Sequence, residues 1–114
     1  MERAKETHGA GMILLIVVAT AVVAPVVEEL VFRGVLLRAL LRRTTEGPSI
    51  GISALAFAAV HVIADPGSRF VFPGLFALGI VLAVLAIRDR SLSRPIFVHG
   101  GFNLLATLLT FASR

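Results

Sequence analysis

The chain alternates between long apolar runs and short polar breaks, and none of the runs shows the period-two alternation of a strand. Residues 1–9, MERAKETHG, are polar, and residues 11–27 are apolar and uncharged. The apolar pattern resumes after Glu28 and Glu29 and continues to Leu41. A helix over 11–41 would be ~46 Å long, more than the ~30 Å hydrocarbon core, so it must tilt or kink. Pro25 is the expected kink, and a break into two helices there is the competing reading. RRTTEGPS at 42–49 is a polar loop, with Pro48 placed to open the next helix, which runs to Ala64. Asp65-Pro66-Gly67 is a turn. Residues 70–87 and 95–112 are the last two apolar runs, separated by RDRSLSR at 88–94. The pattern predicts an all-α integral membrane bundle of about four transmembrane helices, with a polar N-terminal segment at 1–10 and one membrane domain at 11–114.

Composition agrees. Of 114 residues, 57% are hydrophobic, above the ~45–50% of soluble domains, and mean hydropathy is +0.94. With no cysteine, disulfides and thiolate zinc sites are excluded. The net charge is +4 and the pI about 11.4. A basic pI can mark nucleic-acid binding, but Arg38, Arg42, Arg43, Arg88, Arg90 and Arg94 all lie at the ends of apolar runs. That placement reads as membrane topology and contact with lipid, not nucleic acid. If the helices span in turn, both arginine loops share one side, which the positive-inside bias makes cytoplasmic. The expected location is a bacterial cell membrane, multi-pass.

Ionisable groups at membrane depth are costly and mark functional sites. Here they are Glu28, Glu29, Arg33, His61 and His99, joined by the polar Asn103. Helical rise puts Glu28 ~21 Å from Arg42, His61 ~18 Å from Ser49, and His99 and Asn103 ~7 and ~13 Å from Arg94. All are counted from the same side, so the groups can converge. Glu29 and Arg33 are four apart and can pair on one helix face, whereas Glu28 is rotated by ~100° and left to face a cavity. Phe57 and His61 share a face, as do His99 and Asn103.

Glu28-Glu29-x-x-x-Arg33, Phe57-x-x-x-His61 and His99-x-x-x-Asn103, in that order and each within an apolar helix, resemble the motif set of the CPBP intramembrane proteases, the CAAX-protease and bacteriocin-processing (Abi) family. The match covers roughly residues 15–110. The resemblance implies an intramembrane endopeptidase in which Glu28 and His61 activate a water. His99 and Asn103 would donate to the oxyanion, while Glu29, Arg33 and Phe57 support the site. It implies no cofactor in the preferred reading, and a zinc ion on Glu28, His61 and His99 in the alternative, although the HExxH spacing is absent. The implied substrate is a peptide or a lipidated protein near the cytoplasmic face. Family members are usually larger, so an oligomer that closes the cavity is a further expectation. Two other classes compete: a non-catalytic membrane protein of the same fold that binds a partner or confers bacteriocin immunity, and a small transporter using Glu28 and the histidines as a relay.

Overall fold

Proline placement sets most helix starts in this chain. The structure, a computed structural model, describes the backbone of residues 2–113 and the side chains of residues 9–113. Helix α1 covers residues 2–43, α2 is Glu46–Ala64, α3 is Phe72–Asp89 and α4 is Ser93–Ala112, with a 3₁₀ segment at Pro66–Val71. Pro48, Pro73 and Pro95 each fall within the first three positions of their helix, where the missing N–H has no acceptor to lose. The predicted loops shrink accordingly, to residues 44–45 and 90–92. Asp65 caps the second connection by accepting from the Gly67 N–H at 3.1 Å.

Pro25 does not break α1. The helix instead widens into π-helical turns at Ala19–Val23 and Leu30–Leu36. In the first, the Ala24 N–H reaches back five residues to the Ala19 carbonyl. A proline ring clashes with the carbonyl four residues earlier in an α-helix, and a wider turn relieves that clash. In the same register Pro25 would serve the Thr20 carbonyl, and having no N–H it leaves that carbonyl free.

Helices α2 and α3 make the most extensive pairing, and α4 packs along residues 19–29 of α1. Small residues allow the close approaches. A Cβ on Gly79 would lie 3.0 Å from the Ala54 Cα, so α3 and α2 nearly touch backbone to backbone. A Cβ on Gly100 would lie 2.5 Å from the Ala21 carbonyl oxygen, which is the contact that seats α4 against the first π turn. Phe32, Phe57 and Leu82 form the core.

Most large apolar side chains point outward, among them Leu14, Ile63, Phe70, Phe97 and Leu109. Exposed apolar area on this scale is untenable in water and is what a lipid-facing bundle presents. Among the described residues, four helices are long and apolar enough to cross a membrane.

Candidate active site

The site forms where the second half of α1 meets α2 and α4. Arg33 Nη1 donates to Glu29 Oε1 at 3.0 Å, the i to i+4 pairing expected, and both side chains are fully buried. Arg33 Nη2 donates to the Gly79 carbonyl at 3.0 Å, so α3 also holds the guanidinium. The Phe57 ring lies 4.7 Å beneath it, a cation–π contact in a dry environment. Phe57 also meets His61 at 4.5 Å and His99 edge-on at 5.4 Å, so one buried ring spaces both imidazoles.

His99 is the centre of the constellation. Its Nδ1 donates to Glu29 Oε1 at 2.7 Å, and its Nε2 faces Glu28 Oε2 at 3.0 Å, an ion pair without the alignment of a hydrogen bond. Glu28 and Glu29 leave α1 about 100° apart. A single imidazole reaches both because its two nitrogens point in opposite directions. Glu28 is therefore not left over, as its position on the helix suggests, but shares His99 with Glu29. A proton must lie between His99 Nε2 and Glu28 Oε2 for that contact to attract.

The other oxygen of Glu28 faces outward. Oε1 is 3.7 Å from His61 Nε2, and the two side chains keep 28% and 29% of their surface exposed. His61 Nδ1 sits 2.7 Å from the Phe57 carbonyl, to which only an N–H can bond. Nδ1 thus carries the proton and Nε2 presents a lone pair toward Glu28. A gap of 3.7 Å between two acceptors is too long for a direct bond and suits a shared water.

Asn103 lies one turn along from His99. Its Nδ2 donates to the Thr20 carbonyl at 2.8 Å, the acceptor that Pro25 leaves free. The Thr20 and Thr107 hydroxyls approach to 3.3 Å at the same crossing. Of the six residues picked out in the sequence, Glu28, Glu29, Arg33, His61 and His99 converge, with Phe57 at their centre. Asn103 is spent, in part, on closing the π turn. The carbonyls of Gly79 and Thr20 are participants that sequence reasoning missed, since no side chain marks them. Pro25, a proline inside a helix, was the one available signal for the second.

In the alternative zinc set Glu28, His61 and His99, His99 Nδ1 is engaged by Glu29 and its Nε2 faces Glu28. Among the described residues no group of three His, Cys, Asp or Glu side chains is disposed to hold a metal ion.

Residues 10–105 match the family described as type II CAAX prenyl endopeptidase Rce1-like. Among curated proteins, the chain is 28% identical over 95 residues to "Putative membrane peptidase YdiL" of Bacillus subtilis (strain 168), an alignment that covers 83% of this chain and 37% of that relative. The chain thus spans little more than a third of that relative's length. No solved structure matches it.

Proposed function

Because the chain belongs to the type II CAAX prenyl endopeptidase Rce1-like family, we propose that this multi-pass membrane protein is an intramembrane endopeptidase in which Glu28 and His61 activate the attacking water. The observation that carries the reading is the half-exposed gap of 3.7 Å between Glu28 Oε1 and His61 Nε2. Both atoms are acceptors, so a water between them donates both its hydrogens and turns its lone pairs to the substrate. Glu28 takes a proton as the water oxygen bonds to the scissile carbonyl carbon. Collapse of the tetrahedral intermediate breaks the C–N bond, and Glu28 returns the proton to the leaving amine. The products are a carboxylate and an amine.

His99 holds Glu28 from the buried side. Asn103 retains a second N–H beyond the one given to Thr20, enough to serve the oxyanion. An oxyanion role for His99 would require it to release Glu28 as charge develops on the substrate. Peptides or prenylated peptides are the substrate class, reached from the arginine-rich, cytoplasmic side.

The test is single-turnover cleavage of prenylated and unprenylated peptides by purified protein in lipid nanodiscs. Glu28→Gln and His61→Ala should each lower the rate, Glu28→Gln by roughly 10²–10⁴-fold. Full activity of Glu28→Gln would sink the assignment. Chelator treatment in the same assay should leave the rate unchanged, and its loss would return the zinc reading.

A further inference from the structure

A cleft of about 290 Å³ opens between the last turns of α1, the end of α3 and the turn that leads into α4. Leu37, Leu41 and Leu92 supply apolar walls, and Arg38 and Arg90 supply charge. Arg33 itself belongs to the lining, and its buried Nε has no hydrogen-bond partner. Neither Arg38 nor Arg90 forms an ion pair among the described residues, whereas nearby Arg94 is paired with Asp89 at 3.2 Å. Arg90 is also the one non-glycine residue at positive φ among the described residues, at 50°. A left-handed arginine is strained where a glycine would not be. Strain kept at a position that feeds a cleft points to a use for the side chain.

The surroundings decide the ligand class. Six arginines (38, 42, 43, 88, 90 and 94) ring this end of the bundle against two carboxylates, Glu46 and Asp89. Within the cleft the charged edge runs into apolar surface from Leu37, Leu41, Ala86, Ile87 and Leu92. An anion with an attached hydrocarbon matches both halves: the head meets guanidiniums and the tails lie along the helix. We propose that this cleft binds the phosphate head of an anionic phospholipid, held between Arg38 and Arg90 and against the wall formed by Arg33. The same Arg33 holds Glu29 from its other end, so an occupied cleft braces the buried half of the site.

The test is retention of phosphatidylglycerol against phosphatidylcholine, read on full-length protein by native mass spectrometry and by titration of a fluorescent phosphatidylglycerol into nanodiscs. One retained phosphatidylglycerol per chain is expected. Arg38→Gln with Arg90→Gln should weaken it by roughly 30-fold, the factor for two arginine contacts at an anionic surface. Arg42→Gln with Arg43→Gln, at the same edge but outside the cleft, should weaken it less than threefold. Arg90→Gly removes the charge and the strained φ together, so it should bind lipid more weakly while melting higher, which separates lost binding from lost folding. Glycerol phosphate should compete only weakly, because the hydrocarbon is part of the fit; full displacement by the head alone would overturn the lipid assignment in favour of a free phosphate. Equal loss in the two double variants, or equal retention of the two lipids, would overturn the proposal. None of these readouts depends on peptidase activity.

Discussion

Glu28 and Glu29 are neighbours in the chain and opposites in the fold. Glu29 is sealed, with Arg33 and His99 bonded to a single oxygen and no exposed surface. Glu28 touches the same histidine with one oxygen and turns the other toward half-exposed His61. On the proposed function, two identical side chains are thereby divided between support and chemistry. The difference arises from their helix faces, which set Glu29 against Arg33, and from what packs over each of them. It teaches that a buried ion pair here acts as a brace: it holds the imidazole that also contacts Glu28.

The comparison breaks most forcefully at Arg33. Arg33→Met leaves Glu29 buried without its cation and should cost about 3–5 kcal/mol, read as a lower melting temperature or loss of folded protein. Glu28→Gln should do the reverse, costing less than about 1 kcal/mol in the same melt because the position is solvent-accessible. If the two variants melt alike, the division between brace and base is wrong.

Gly100 and Gly101 sharpen the comparison at the backbone. Gly100→Ala would press a Cβ into the Ala21 carbonyl, pushing away the helix that carries His99. A loss of about 1–3 kcal/mol is expected, with activity falling alongside. Gly101 has open space beside it, so Gly101→Ala should change stability by less than about 0.5 kcal/mol.

A smaller loss than that at Gly100 concerns the π turn. Asn103→Ala should cost about 1 kcal/mol by orphaning the Thr20 carbonyl. Pro25→Ala restores an N–H to that stretch of helix, so the double variant should recover part of the loss. A double-mutant cycle in thermal unfolding measures this, and strict additivity would show that Asn103 and Pro25 are not coupled through Thr20.

The number of helices, their order and their proline-marked starts were legible in the sequence, because burial in lipid forces long apolar runs and proline punctuates them. So was the Glu29–Arg33 pair, since four residues is the repeat of a helix face. Convergence of Glu28, His61 and His99 followed from depth, counted residue by residue from the polar loops. These are local or one-dimensional quantities, and a single chain carries them openly.

The tertiary structure decided the rest. That Pro25 widens α1 instead of breaking it depends on α4, whose Gly100 accepts the displaced Ala21 carbonyl and whose Asn103 satisfies Thr20. That one imidazole serves both glutamates depends on how close α4 comes to α1, and that closeness is set by a glycine whose role is invisible until its neighbour is known. The Gly79 carbonyl under Arg33 belongs to a third helix, 46 residues away. Backbone acceptors carry no residue code, so only the packing of helices could assign them.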